Sequence, residues 1–369
     1  MHATALAKLE RVIGPASTWL PPPLTVNLYS WGRKQFLSWL DQDIPSEPFD
    51  PPEKLSTTLW GIQFRSPLFN AAGMFKNGEC YETVLRQGAG AYLGGTGTWN
   101  SRVGNKRNGI ALPIAPYPRS GGASNWLGLP NDGDPVNAER VAALPKIPGF
   151  PIGWSVMGSP DYRGEQKLRY LVEGLRAYER ARVDFLEVNE SCPNTAHGKP
   201  QEDELAQRLQ YLQQNFLKQR SRRLPVVVKF STDTDIAQVP TLVELLCRTG
   251  FDGVNFGNTS TDYAAHREAI HPAERPLYDH FTSTFGGGIS GKPLRENSLA
   301  LVRAAADFLA DHPPDQEFHI IRTGGIASFG DVQKSRMAGA SLCQWYTGYL
   351  REGLPRHGHD VYREFWRAA

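Results

Sequence analysis

The chain has 369 residues, 40% of them hydrophobic, and a formal net charge of +2 from 40 basic and 38 acidic side chains. That is enough for one barrel-sized domain or two smaller ones, and with nearly balanced, interspersed charge nothing suggests a nucleic-acid groove or a polybasic membrane patch. There is no apolar run of the roughly 18 residues that a membrane-crossing helix needs.

The N-terminus lacks the basic region and apolar core of a secretory signal. The four cysteines, Cys80, Cys192, Cys247 and Cys343, are scattered and form no CxxC or Cys/His cluster. Neither a metal site nor a disulfide framework is expected, and the thiols fit a reducing, cytoplasmic compartment.

Residues 1–55 differ in character from the remainder of the chain and are read as an N-terminal extension or cap, with residues 56–369 as the catalytic domain. Pro21–Pro23 and a second proline cluster from Pro45 to Pro52 bracket a predicted helix, Leu28–Leu40. That helix puts Tyr29, Phe36, Leu37 and Leu40 on one side, with Trp31 and Trp39 nearby. Two readings stay open for it: packing against the parent domain, or a surface for a lipid or an apolar co-substrate.

From residue 60 the pattern is strand, glycine-rich turn, helix, repeated. The predicted strands are Pro67–Ala71, Ala91–Gly94, Ile152–Val156, Phe185–Asn189, Val226–Phe230, Gly253–Phe256, His319–Arg322 and Ser341–Trp345. Helical stretches such as Lys167–Arg182 and Ala237–Thr249 separate several of them. Eight such units fit an α/β fold of the (β/α)8 TIM-barrel type better than an open doubly wound sheet. In a barrel all strand C-termini converge on one face, where chemistry is kept.

The residues at those strand ends are informative. Ala71-Ala72-Gly73 and Lys76 follow the first strand, and Gly95-Thr96 the second. Asn125 to Leu129 lie in the long connection that comes next. The fourth strand delivers Asn189 to Thr195, which gathers two carboxamides, two hydroxyls and a thiol within seven residues. Taken alone this is a polar loop with an incidental cysteine, but carboxamides can grip a planar amide-rich ligand and a thiol can act as a base.

Lys229 is embedded in an apolar strand, where a cation is costly unless an anion or acceptor meets it. Asn258-Thr259 follow the sixth strand. Gly286–Gly291 is read as a flexible, donor-rich loop. Gly324-Gly325 follow the seventh strand and Tyr346-Thr347-Gly348 the eighth, where barrels hold phosphate on backbone N–H groups. FMN accounts for these parts together: a phosphate cradle, Lys229 near the pyrimidine edge of the ring, and small residues beneath it. No GxGxxG follows a strand, which favours a mononucleotide over NAD.

Eight motifs in register, over about residues 58–352, resemble the dihydroorotate dehydrogenases. They are AAGMFKNGE at 71–79, NWLGLPN at 125–131, NESCPNT at 189–195, VVVKF at 226–230, GNTS at 257–260, GGISGKPL at 287–294, RTGGIAS at 322–328 and GASLCQWYTG at 339–348. The resemblance implies oxidation of (S)-dihydroorotate to orotate by hydride transfer to FMN in pyrimidine (UMP) biosynthesis, with Cys192 as catalytic base. It implies that Lys76, Asn125, Leu129, Asn189, Asn194, Asn258 and Thr259 hold the substrate. It further implies that Ala72, Gly73, Lys76, Thr96, Ser155, Asn189, Lys229, Gly257, Gly291, Gly324, Gly325, Tyr346 and Thr347 hold the cofactor.

The chain mixes two groups of that family. Cys192, His197 to Gln201, Gly128 to Asn131 and Ser155 resemble the soluble class 1 enzymes. Lys76 and the N-terminal extension resemble class 2, which passes electrons to quinone at the membrane. Gly95 stands where class 1 has lysine, and Phe75 and Gly257 stand where class 2 has Asp and Thr.

The resemblance leaves the electron acceptor open between a quinone and fumarate. Also open are a homodimer and a peripheral contact of residues 1–55 with the inner face of the membrane. Two other functions are compatible with the same residues: an FMN barrel acting on another dihydropyrimidine or cyclic amide, and a non-catalytic flavin- or phosphate-binding barrel.

Overall fold

The computed structural model of the chain describes residues 2–190 and 202–367. Eight parallel strands form the centre: β1 Leu68–Asn70, β2 Tyr92–Gly97, β3 Ile152–Val156, β4 Phe185–Asn189, β5 Val226–Phe230, β6 Gly253–Phe256, β7 His319–Thr323 and β8 Leu342–Trp345. They pair in the order β1-β8-β7-β6-β5-β4-β3-β2. Helices on the connections cover the outside, so both faces of the sheet are buried and the strands read as nearly continuous apolar runs. The fold is a (β/α)8 TIM barrel.

The eight predicted strands are all present. β2 runs three residues past its predicted end at Gly94, because its glycines let it lie against β3. A Cβ on Gly95 would stand 2.3 Å from the Ser155 carbonyl oxygen. Between β1 and β2, where the ladder is open, a side chain bridges the gap. Asn70 Nδ2 donates to the Leu93 carbonyl (2.7 Å) and the Leu93 N–H donates to Asn70 Oδ1 (3.2 Å).

Side chains alternate across each strand, and the inward ones stack in layers. The lowest layer is apolar: Phe69, Leu93, Phe185, Val227, Ile321 and Leu342 pack with Leu59, Trp60 and Phe64. The last three belong to a hairpin, Thr57–Leu59 with Ile62–Phe64, that closes the N-terminal end of the barrel. Chemistry is therefore confined to the opposite end.

Two segments distant in sequence build a lid over that end. Ile114–Tyr117 pairs with Gly122–Asn125, which pairs in turn with Gly288–Gly291, all antiparallel. The expected flexible loop at Gly286–Gly291 is thus corrected: its last four residues are a strand, because their backbone groups find partners on the connection that follows β2. A second apolar core, including Tyr117, Ile270, Tyr278, Phe281 and Ile289, lies under this sheet.

The N-terminal segment holds two helices, α1 Ala3–Ile13 and α2 Pro22–Gln42. The predicted helix Leu28–Leu40 starts six residues earlier than expected. Proline is tolerated in a first helical turn, whose N–H groups have no partner within the helix, so Pro22 and Pro23 begin α2 instead of preceding it. Val26 is buried in the second core, Leu40 joins the main core, and Phe36, Leu37 and Trp39 pack against it. Trp31 is 63% exposed. The predicted stripe of Tyr29, Phe36, Leu37 and Leu40 is therefore buried or half-buried, and Trp31 beside it faces solvent.

Candidate active site

The C-terminal ends of the strands open into a cleft, at the face where barrels of this type keep their chemistry. Its lining contains Ala72, Gly73, Lys76, Thr96, Asn125, Leu129, Asn189, Lys229, Asn258, Thr259, Gly291, Gly324, Gly325, Tyr346 and Thr347. The fold thus brings fifteen predicted site residues, spread over 276 positions of sequence, to one place.

Two predicted residues lie outside the lining. Ser155 is fully buried behind Thr96, with its Oγ 3.0 Å from Thr96 Oγ1. Gly257, at φ 121°, is pressed against β7, where a Cβ would stand 1.5 Å from the Thr323 carbonyl oxygen. Backbone packing alone therefore demands glycine there. Cys192 and Asn194 lie outside the described residues.

One wall of the cleft is a hydrogen-bonded run of polar side chains. Asn189 Nδ2 donates to Thr96 Oγ1 (3.3 Å), Asn258 Nδ2 donates to Asn189 Oδ1 (3.3 Å), and the Thr259 N–H donates to Asn258 Oδ1 (2.9 Å). These contacts fix which end of each carboxamide faces the cleft. Thr259 Oγ1 is buried with no hydrogen-bond partner among the described residues. A buried hydroxyl left in that condition is suited to a ligand's polar atom.

The turns after β7 and β8 carry the glycines. Gly324 and Gly325 have φ of 109° and 73°, which only glycine adopts without strain. The turn is braced from behind. Arg295 Nε donates to the Gly325 carbonyl (3.2 Å) and pairs with Asp331 (3.0 Å), while Asp331 and Ser328 form a capping box on the helix Phe329–Met337. Thr347 Oγ1 donates to Ser290 Oγ (2.9 Å), tying the turn after β8 to the lid.

Beneath the cleft lies a buried polar layer in which Lys229 is joined by Glu187, Asn255, Thr323 and Gln344. Sequence reasoning singled out Lys229 and passed over Glu187, Asn255 and Gln344. The same signal marks all four: a polar side chain at an inward position of an apolar strand. Arg33 was missed as well. It reaches from α2 to donate to Tyr346 OH (2.9 Å).

Phe75 does not face the cleft; it is fully buried and stacks on Tyr92 at 6.1 Å. Burial pushes the thiols of Cys247 and Cys343 up to about 11 and that of Cys80 well above its usual value. None of the three lines the cleft.

The donor set fits a flavin. Braced glycine turns suit a phosphate, small residues after β1 leave room for a ring, and a cation stands on β5 where negative charge would gather. A (β/α)8 barrel furnished in this way is a flavin-dependent oxidoreductase.

Comparison with known proteins narrows this further. A profile of the family described as dihydroorotate dehydrogenase matches residues 54–365. The chain is 30% identical over 340 residues to the dihydroorotate dehydrogenase (quinone) of Herminiimonas arsenicoxydans, covering 89% of each chain. It is 31% identical over 307 residues to the protein of the same name from Aeromonas salmonicida, covering 81% of this chain and 84% of that one. The crystal structure of ligand-free type DHODH from Eimeria tenella shares the fold, with a TM-score of 0.74 at 24% identity over 90% of this chain and 92% of that one. The chain belongs to the dihydroorotate dehydrogenase family. It is an oxidoreductase acting on a CH–CH group.

Proposed function

We propose that the chain oxidises (S)-dihydroorotate to orotate, the redox step of UMP synthesis, with FMN as the resident cofactor and Cys192 as the base. The observation that carries this reading is the meeting of Lys76, Asn125, Asn189, Asn258 and Thr259 in the same cleft as Lys229 and the braced glycine turns.

The cradle after β7 and β8 suits one phosphate, as a mononucleotide requires. FMN, when bound, supplies the hydride acceptor. The chain's own residues bind, orient and deprotonate. Asn125, Asn189 and Asn258 offer donors and acceptors to a ring with two amide groups. Lys76 offers charge to the substrate carboxylate, with Leu129 beside it. Cys192 follows Asn189 by three positions and would take the proton from the carbon next to the ring carbonyl. The lid, through Asn125, Ser290 and Gly291, forms part of the cleft's lining and would limit water at the reacting atoms.

We further propose a quinone as electron acceptor, reached through residues 1–55 acting as a cap. Two features support this. The relatives from Herminiimonas arsenicoxydans and Aeromonas salmonicida are named as quinone enzymes. The extension also exposes Val12, Trp19 (84%), Leu24, Leu28 and Trp31, an apolar surface suited to a lipid interface. No described helix is long and apolar enough to cross a membrane, so such contact would be peripheral.

The test is anaerobic. The visible spectrum of the purified protein is recorded, dihydroorotate is added, and a flavin band that bleaches within seconds is expected. A yellow protein that does not respond would overturn the substrate assignment.

A further inference from the structure

The buried layer under the cleft contains a carboxylate that the proposed chemistry does not use. Glu187 is 1% exposed and Lys229 3%. Lys229 Nζ stands 3.6 Å from Glu187 Oε1 and 3.4 Å from Gln344 Oε1. The other carboxylate oxygen, Oε2, accepts from Asn255 Nδ2 (2.7 Å) and from Gln344 Nε2 (3.0 Å). Thr323 Oγ1 lies 2.9 Å from both Asn255 Oδ1 and Gln344 Oε1.

Each carboxamide is thereby fixed in one orientation, its NH2 toward Glu187 and its oxygen away. The network spans five adjacent strands, β4 to β8. It meets the cleft through Lys229, Thr323 and Gln344, whereas Glu187 does not line the cleft.

A fold does not need such a layer for stability. Apolar residues of similar volume usually serve as well or better, and the layer beneath it in the barrel is built that way. What the pair does provide is a set charge. Alone, Lys229 would present a full positive charge to the cleft. A carboxylate beneath it offsets part of that charge in a medium that screens poorly, and its two loose contacts leave the ammonium able to donate upward.

We propose that Glu187 is a positioning residue acting through Lys229, and that it sets the midpoint potential of the flavin bound in the cleft. The proposal rests on the FMN reading. A flavin gains negative charge on reduction, so the less positive the cleft, the lower its potential.

The experiment measures FMN midpoint potential in the wild-type protein, Glu187→Gln and Glu187→Asp. Glu187→Gln removes the charge and keeps an acceptor for Asn255 and Gln344. Its potential is expected to rise by at least a tenfold change in the reduction equilibrium, about 30 mV for a two-electron couple. Glu187→Asp keeps the charge, and its potential should stay within about a third of that shift. A purely structural role would lower thermal stability and leave the potential where it was.

An unmoved potential in Glu187→Gln overturns the proposal, as does an equal shift in Glu187→Asp. Should Glu187→Gln not fold, Glu187→Met removes the charge with a side chain of similar length and must raise the potential; an unchanged or lowered value overturns the proposal. A wild-type protein that takes up no FMN overturns the functional reading together with this one.

Discussion

Arg33 and Tyr346 lie 313 positions apart in the chain, yet the Arg33 guanidinium donates to the Tyr346 hydroxyl at 2.9 Å. A second donation, to the Gly73 carbonyl at 3.4 Å, places the same cation beside the turn after β1. Helix α2 is therefore tied to two residues of the cleft lining and is not a remote appendage. If an apolar acceptor enters beside α2, Arg33 links that helix to Gly73 and Tyr346 in the cleft lining. Arg33→Ala should slow reoxidation by a quinone roughly tenfold, equivalent to about 1.4 kcal/mol in barrier, and leave dihydroorotate-driven bleaching within about twofold, since its described bonds go to Tyr346 and Gly73 and not to the residues proposed to hold dihydroorotate. Stopped-flow measurement of the two half-reactions separates these effects. Equal slowing of both would remove any special link between α2 and the acceptor.

The base assignment makes a sharper prediction. Removing a positioned general base typically costs about 10² to 10⁴ in rate. Cys192→Ala should lose that much in the rate of flavin bleaching by dihydroorotate while retaining bound flavin, measured by absorbance after gel filtration. Cys192→Ser should keep partial activity that grows as pH is raised, because a hydroxyl is harder to deprotonate than a thiol. Normal bleaching by the alanine variant would exclude Cys192 as the base.

The middle of the seam between β1 and β2 is bridged by one carboxamide, flanked by the backbone bonds Gly90 N–H to Leu68 O (2.9 Å) and Gly73 N–H to Gly95 O (2.6 Å). Asn70 is 1% exposed and makes two bonds to Leu93 where backbone pairing is missing. Asn70→Ala would leave a buried N–H and a buried carbonyl without partners, a loss of about 2–4 kcal/mol. Thermal unfolding followed by circular dichroism should show a lowered midpoint. An unaltered midpoint would mean that the seam is held by other contacts.

How far these features could be read from the sequence depends on their range. Val226–Phe230 and Phe185–Asn189 were legible to the residue, because a strand buried on both faces is a short apolar run bounded by turn residues. Lys229 was legible because it breaks such a run. Glu187, Asn255 and Gln344 break theirs in the same manner, yet their meaning appears only when the register turns all of them inward. The lid was not legible. Its strands Gly122–Asn125 and Gly288–Gly291 lie more than 160 positions apart, and no local pattern announces an antiparallel pair at that range. Arg33 was hidden for a related reason: a lone arginine on a helix resembles any solvated charge until the helix is docked.

The exposed apolar surface of the extension predicts membrane contact. Val12→Ser, Trp19→Ser and Trp31→Ser combined remove three of its most exposed apolar side chains and should reduce co-sedimentation with phospholipid vesicles severalfold. Each fully buried large apolar side chain contributes about 1.5–3 kcal/mol, and interfacial insertion is only partial. Activity with a soluble dye should be unaffected. Equal sedimentation of variant and wild-type protein would dispose of the membrane reading and leave the packing role of α2 intact.

Asp134 gives the fold a pH dependence of calculable sign. It sits at the start of the helix Asp134–Ala142, fully buried, with Oδ1 accepting from Tyr178 OH at 2.9 Å and Oδ2 without a partner among the described residues. Cβ atoms on Gly97 and Gly174 would stand 2.2 and 2.4 Å from its carboxyl oxygens, so both glycines make room for it. Burial raises its pKa to about 7, partly opposed by the Tyr178 hydrogen bond. The folded state therefore holds a proton that the unfolded chain releases near pH 4, and between those values the folded state binds more protons. Its contribution to stability is complete below about pH 4, falls as pH rises, and is gone above about pH 7. The full change is on the order of 4 kcal/mol. Asp134→Asn cannot ionise, so its melting temperature should vary less between pH 5 and 8 than that of the wild type, and it should gain on the wild type toward the alkaline end. Parallel melting curves for the two proteins across that range would show that Asp134 is already ionised in the folded state.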